Sequence, residues 1–529
     1  MSRSRICKSL IVFLVMAVFG LVNGPDLMAE ERNQTPKYIF LFIGDGTSFP
    51  QRMSAEYYKA NLGSPRVADG LLGRNAKKIS LDTGIATFQP QADRLVMNSF
   101  PAQGVTTTYS ANSVITDSAS SATAIATGKK TRDGVISMDP SASESYLSIA
   151  KMAKAKGKKV GIVTSVSLDH ATPAAFYANQ ASRNSYYEIA RQIPASDFDF
   201  FGGGGFKQPN GAKGDQENIS DFLKLAGYKV VDTKSAISGL KNGDSKIVAV
   251  NQNLDSNKAM PYAVDVTDSD LTLANFVSKG IELLDNPEGF FMMVEGGKVD
   301  WACHANDALS AIRDVLALDD AVAVAYEFLQ KHPDDTLIVV TGDHETGGMS
   351  VGFAGTRYDS FLEHISVQKG SHTAFSGRLN EMKKSGPLKA EVLFPEIEKF
   401  FGLKRISDVE LESLSKKAEA GDVEAIRQLA FVLRPFEIAN IERAIPMSNL
   451  PAKERPLAEY DFIRHFGYED PITTILTQTL NNKAGIGWTT FSHSGLPTPV
   501  SAVGAQAGSF EGYFDNTDLF HKLVGIANY

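Results

Sequence analysis

The 529-residue chain has only two cysteines, Cys7 and Cys303. Cys7 lies in a segment that reads as removable, so Cys303 is left alone and no intramolecular disulfide is available. Stability must then come from an apolar core, from bound metals or from a partner subunit. The chain also lacks surplus positive charge, since 53 Lys and Arg face 61 Asp and Glu for a net charge of -8. With no basic run either, nucleic acid is a poor choice for the main partner, although a nucleotide is still a possible substrate. Beyond the N-terminus no apolar run is long enough to span a bilayer, and no stable membrane partner is expected. Disordered and fibrous classes are excluded by 43% hydrophobic and 22% charged residues. The length suits one large domain with insertions, or two to three domains.

What is present begins with an export pattern. Arg3, Arg5 and Lys8 precede an apolar stretch from Leu10 to Val22, and Ala29 follows as a cleavage position. The reading is a signal peptide over 1–29, with the mature protein periplasmic or extracellular. Cys7 precedes the apolar stretch, whereas a lipid-anchoring cysteine would follow it.

Short β-rich runs then stop at residues that can bind metal. Tyr38 to Ile43 leads into Asp45, and Val160 to Thr164 leads toward His170 and Thr172. Phe290 to Val294 ends at Glu295, and Leu337 to Thr341 ends at Asp343 and His344. Helical stretches separate them, including Ser145 to Lys156 and Ala305 to Gln330. The alternation predicts an α/β fold, a three-layer sandwich with a mostly parallel central sheet and helices on both faces. In such a sheet ligands collect beyond the carboxyl ends of the strands, so these side chains are expected at one edge. A single acid there is an ordinary helix cap; several together call for another explanation.

Asp300 and His304, four residues apart, share a helix face and can hold one ion. His493 sits in a late loop signal, Ser492-His493-Ser494-Gly495, while Gly370-Ser371-His372 is a competing loop histidine. Carboxylate and imidazole donors suit zinc, and an Asp, Thr and Glu oxygen set suits magnesium. Cys303 and the remaining histidines (His332, His364, His465, His521) read as packing, surface or capping residues. In Thr116-Asp117-Ser118-Ala119-Ser120-Ser121-Ala122 a serine follows an aspartate where small residues open a helix. Helix starts suit phosphoryl groups, so Ser118 is a candidate nucleophile, though the same residues would also serve as a plain N-cap. Asp117 stands among the candidate metal ligands. The Gly202–Gly205 run lacks the Lys-Ser or Lys-Thr of a nucleotide loop and reads as a tight connection.

Together these motifs resemble the alkaline phosphatase family. They comprise Gly44-Asp45-Gly46, Asp117-Ser118-Ala119, Thr172-Pro173-Ala174-Ala175 with Ser182-Arg183, the long Glu295 to Asp307 stretch, Thr341 to Gly348, and His493-Ser494-Gly495. They run in the family's order over most of the mature chain. The resemblance implies a phosphomonoesterase acting through a phosphoserine on Ser118, with Arg183 clamping phosphate oxygens. It implies two zinc ions, held by Asp300, His304 and His493 and by Asp45, Asp343 and His344. It implies a magnesium held by Asp45, Thr172 and Glu295, and a homodimer.

Two departures stand out. Some members carry aspartate where His170 stands and lysine where Trp301 stands. The third site is therefore expected to select magnesium less strictly and to accept zinc or cobalt, and phosphate to be held less tightly. Phosphodiesterase or phosphonate hydrolase activity is the alternative within the superfamily. A secreted phosphate- or metal-binding protein is the alternative outside enzymes. Sulfatases of the superfamily need a different nucleophile motif. The catalytic domain is expected over 30–377 and 484–529, with a helical insertion over 378–483.

Overall fold

The computed structural model describes residues 34–62 and 92–529, so the export segment read over 1–29 lies outside the described residues. In chain order the strands are β1 (Tyr38–Gly44), β2 (Ala102–Thr107), β3 (Lys159–Thr164), β4 (Phe200–Gly203), β5 (Lys229–Val231), β6 (Ile247–Val250) and β7 (Phe290–Glu295). They continue as β8 (Thr336–Gly342), β9 (Glu345–Thr346), β10 (Ser350–Val351), β11 (Ile486–Gly487), β12 (His493–Ser494), β13 (Thr498–Gly504) and β14 (Gly512–Asp515). Ten of them form one sheet in the order β14-β2-β13-β8-β1-β7-β3-β4-β6-β5. Every pairing in it is parallel except those of β13, which runs antiparallel to both β8 and β2.

The central strands are apolar on both faces, as strands sandwiched between helix layers must be. All seven residues of β1 are buried. Phe40 and Phe42 enter one core with Phe276 and Ile312, while Ile39, Leu41 and Ile43 enter the other with Ile125, Phe176 and Leu519. The two-residue side-chain period of a strand thus divides β1 between the two helix layers. The helices used below are α1 (Phe49–Asn61), α2 (Ser118–Thr127), α3 (Ile149–Ala155), α4 (Ala171–Tyr177), α5 (Lys298–His304), α6 (Ala308–Lys331), α7 (His372–Lys383) and α8 (Pro471–Ala484).

Register brings the functional positions level. Ile43 pairs with Glu295, Glu295 with Thr164, and Gly44 with Gly342. Four neighbouring strands therefore stop together, and the residues just beyond them share one edge. Gly46 is required there. Its φ is +69°, and a Cβ would lie 2.7 Å from Asp300 Cα. Of the Gly202–Gly205 run, Gly202 and Gly203 end β4 and Gly204 and Gly205 begin the connection; a Cβ on Gly203 would lie 1.7 Å from the Thr164 carbonyl oxygen.

The structure revises several sequence-based elements. The helix expected over 145–156 covers only α3, because Ser148 caps it by accepting the Lys151 N–H. The helix expected over 305–330 is α6, which starts only at Ala308, because Asn306 at φ +48° breaks the chain after α5 and Asp307 caps α6 by accepting the Ser310 N–H. In the helical segment Pro435 and Pro471 open helices, whereas Pro395 and Pro446 lie inside them. Leu393, Phe401, Ile441, Leu476 and Leu480 of that segment belong to the same core as Phe40 and Ile312. Most of its apolar burial is therefore shared with the sheet layer.

Candidate active site

Ser118 is the first residue of α2, whose ten residues are all buried. The small side chains of Ser118-Ala119-Ser120-Ser121-Ala122 let this helix start pack tightly against the sheet edge. Asp117 caps it by accepting the Ser120 N–H at 2.9 Å. The Ser118 hydroxyl thus sits at the electropositive end of a helix, 3.3 Å from His344 Nε2.

Asp117 is a cap and an arginine holder, which corrects its place among the metal ligands. Its Oδ1 accepts from Ser120, and its Oδ2 accepts from the Gly134 N–H at 3.0 Å and Arg183 Nη1 at 2.9 Å. Both oxygens are taken. Burial works against its charge, but Arg183 and Ser120 outweigh burial and hold the carboxyl below its ordinary pKa. Arg183 is fixed beside Ser118 with the rest of its guanidinium fork free of that ion pair.

Three groups of metal-binding atoms are present among the described residues, each with all donors within 4.8 Å of one another: Asp300, His304 and His493; Asp45, Asp343 and His344, the last in contact with this serine; and Asp45, His170 and Glu295. Asp45 belongs to two of them. Asp45 Oδ1 and Oδ2, Asp343 Oδ2, Glu295 Oε1, His170 Nδ1 and Thr172 Oγ1 are all buried without a hydrogen-bond partner. Orphaned donors and acceptors on this scale are costly, and they gather at the points where ions would sit. The remaining atoms of these residues are held. Glu295 Oε2 accepts from Thr164 Oγ1, Asp343 Oδ1 accepts from the Gly46 and His344 N–H groups, and Asp300 Oδ1 accepts from Thr346 Oγ1 at 2.5 Å. His304 Nδ1 lies 2.7 Å from the Phe491 carbonyl, and His493 Nδ1 lies 2.7 Å from that of Thr116. Each contact fixes Nδ1 as the protonated nitrogen and turns Nε2 toward Asp300.

Charge tells the same story. Burial, then the neighbouring Asp343, pushes the Asp45 carboxyl well up. Burial, then Asp300, does the same to Asp343, and burial raises Glu295 to about 7. Burial lowers His170 to about 3 and lowers His344 and His493 as well, which leaves neutral imidazoles suited to ligation. Burial opposes the charge of His304, but Asp300 beside it outweighs this and raises its pKa to about 9. Carboxylates crowded this way without a counter-ion repel one another, so a divalent cation is the natural complement.

These shifts predict how the metal-free protein responds to pH. Below pH 6.5 the depressed histidines gain stability as pH rises while the raised carboxylates lose it, and the two trends oppose. Above pH 6.5 the depressed histidines of the site add nothing further, and His304 gives up its raised-pKa stabilisation as pH climbs toward 9. His304 contributes about 1–3 kcal/mol between pH 6.5 and 9, after allowing for a side chain one-third exposed. Thermal melts in chelator should fall from pH 6.5 to 9, whereas melts with added cation should stay level. Parallel curves would contradict this reading of the site.

The two competing loop histidines lie in different surroundings. His493 joins Asp300 and His304, while His372 is buried 3.2 Å from Asp307 at the start of α7. His170 stands at the N-cap position of α4 without a side-chain capping bond and groups with Asp45 and Glu295, while Thr172 lies in the first turn of that helix. Cys303 is fully buried and packs, as expected. Sequence reading missed the supporting residues. Thr346 links Asp300 to His344 Nδ1. Ser121 Oγ donates to the Asp343 carbonyl at 2.7 Å. Glu345 accepts from Gln51 and Ser494. Thr346 and Glu345 lie in the Thr341 to Gly348 motif, but nothing in their type distinguishes a support from a bystander.

Comparison with known proteins agrees with this geometry. A model of the alkaline phosphatase family matches residues 76–529. Alkaline phosphatase 3 of Bacillus subtilis is 30% identical over 427 residues, covering 78% of this chain and 78% of that protein. The human tissue-nonspecific isozyme is 28% identical over 384 residues, covering 63% of this chain and 72% of its own length. The cold-active alkaline phosphatase of a psychrophilic Shewanella superposes with a TM-score of 0.67 at 25% identity, covering 93% of this chain and 99% of that one. The Thermus thermophilus enzyme gives 0.68 at 22% identity over 95% of each chain. With the motifs in order, the strand ends level and the match spanning most of its length, the chain belongs to the alkaline phosphatase family.

Proposed function

We propose that this phosphatase is an exported, metal-dependent phosphomonoesterase that forms a phosphoserine on Ser118. The observation that carries the proposal is the set of three groups of metal-binding atoms, two of them with orphaned buried donors, one of which reaches to 3.3 Å from a serine hydroxyl at a helix N-terminus through His344. The two groups with histidine and carboxylate donors suit zinc. Asp45, Thr172 and Glu295 offer oxygens suited to magnesium, and the added imidazole of His170 widens the third site toward zinc or cobalt. Bound cations would supply Lewis-acid stabilisation of the charge on the entering and leaving oxygens.

The protein's own contribution is positioning. Arg183, held by Asp117, presents a planar fork to a terminal phosphate dianion. The free N–H groups at the start of α2 favour the same charge, so the phosphorus is drawn toward Ser118 Oγ. Attack by that oxygen transfers the phosphoryl group and releases the alcohol; water then cleaves the phosphoserine to phosphate and restores the hydroxyl. Export is supported by the pattern over 1–29 alone, and no helix among the described residues is long and apolar enough to cross a membrane. The homodimer rests only on the family resemblance, and light scattering of the mature protein decides it.

Release of p-nitrophenol from its phosphate monoester, abolished by EDTA and restored by zinc with magnesium, tests the reading. No release with metals present would refute it. Arg183→Ser sharpens the substrate class. Turnover of the monoester should fall about 100-fold, and that of bis-p-nitrophenyl phosphate, which has no dianionic terminus, by less than about 5-fold. Equal losses would favour the diesterase reading.

A further inference from the structure

The helical segment over 378–483 closes with α8, and that helix reaches the turn that follows His304. Ile472, Leu476, Leu480 and Ala484 recur every four residues and are fully buried in the core. The neighbouring stripe carries Thr473, Thr477 and Asn481, and it meets the break between α5 and α6. There Asn481 Nδ2 donates to the Asn306 carbonyl at 2.6 Å, and Gln478 Nε2 donates to Asn306 Oδ1 at 2.9 Å. Thr477 Oγ1 donates to the Ala305 carbonyl at 3.4 Å.

Asn306 is 1% exposed and left-handed, a conformation that asparagine bears better than most residues. Its amide extends the chain of contacts. Nδ2 donates to the Cys303 carbonyl at 2.9 Å and to the Thr490 carbonyl at 3.0 Å. The next residue, Phe491, offers the carbonyl that lies 2.7 Å from His304 Nδ1. The loop itself is tied to Gly347, whose carbonyl accepts the Thr489 and Thr490 N–H groups. One side chain therefore ties the end of α5, the loop that fixes the His304 ring and the last helix of the insertion.

We propose that Asn306 is a positioning residue for the Asp300, His304 and His493 group, and that α8 braces it through Gln478 and Asn481. The proposal rests on the metal-dependent reading above. Contacts that orient a ligating histidine are worth 10–100-fold in metal affinity. The insertion is on this account a structural support for one metal site rather than a surface addition.

Zinc affinity, measured by competition with a chromophoric chelator, tests it on the full mature protein. Asn306→Gly keeps the left-handed backbone and removes the amide. It should weaken one class of zinc site by about 10–100-fold, leave the others unchanged and regain turnover at high zinc. Gln478→Ala, which removes only the bond to Asn306 Oδ1, should give the same effect at about 3–10-fold and serves if the glycine variant does not fold. In a His493→Ala background, where that site is already lost, Asn306→Gly should have no further effect on the remaining zinc. Unchanged affinity in both single variants, or an equal loss in the His493→Ala background, would overturn the proposal. Failure of the wild type to bind zinc would instead refute the metal-dependent reading.

Discussion

Replacing Ser118 with alanine should lower kcat/KM for a phosphate monoester by about 10,000-fold and leave the fold intact. A loss of that size corresponds to about 5.4 kcal/mol of transition-state stabilisation. It is the scale expected when a covalent route is removed and only metal-assisted attack by water remains. The structure explains why the fold should survive. The cap of α2 is made by Asp117, not Ser118, and the hydroxyl has one contact, 3.3 Å from His344 Nε2. Alanine also has the better helix propensity, so the melting temperature should move by less than that of a cap loss, about 1 kcal/mol. Kinetics with and without the serine, alongside thermal melts, check both halves. Turnover within 10-fold of wild type would remove Ser118 from the chemistry.

Asp45→Asn should have the second largest effect, because Asp45 serves two of the three groups. Asparagine keeps the volume but removes the charge. Elemental analysis should then show the loss of metal from both groups, whereas His493→Ala should lose it from one. Activity should fall by about 1,000-fold. In chelator the sign reverses. Burial and Asp343 push the Asp45 carboxyl well up, so the metal-free wild type carries a strained, crowded acid. Removing that charge should make the metal-free variant more stable than the metal-free wild type at pH 9, on the order of 1–3 kcal/mol. Less metal, less activity and a higher melting temperature in chelator form one signature. A variant less stable than wild type in chelator would contradict the repulsion argument.

Much of the fold was legible because its central strands bury both faces. Runs such as Tyr38 to Gly44 admit no surface pattern, so they read as core strands, and their acidic ends read as the ligand edge. The candidate ligand positions were legible because several fall together beyond neighbouring buried strands, where one alone would read as a helix cap. What was not legible depends on conformation or on backbone atoms. The start of α6 at Ala308 rather than at 305 follows from the left-handed φ of Asn306 and from the Asp307 cap. The carbonyls of Thr116 and Phe491 that lie against His493 and His304 belong to residues whose side chains carry no signal. Asp117 was misplaced because a carboxylate beside a nucleophile suits a ligand and a cap equally; the Arg183 ion pair decides between them. The insertion read as a separate feature because its helices are amphipathic on their own. Yet the apolar face of α8 belongs to the main core and its polar stripe bonds to Asn306, just past His304.

The central claim is that metal-filled groups around Ser118 let it accept the phosphoryl group. Acid quenching during turnover of p-nitrophenyl phosphate, followed by mass spectrometry of the Ser118 peptide, tests it most directly. The account predicts one phosphoryl group on Ser118 when zinc and magnesium are bound, and none in Ser118→Ala or after chelation. Steady turnover with no phosphoryl group on that peptide, or with it on another residue, would contradict the account.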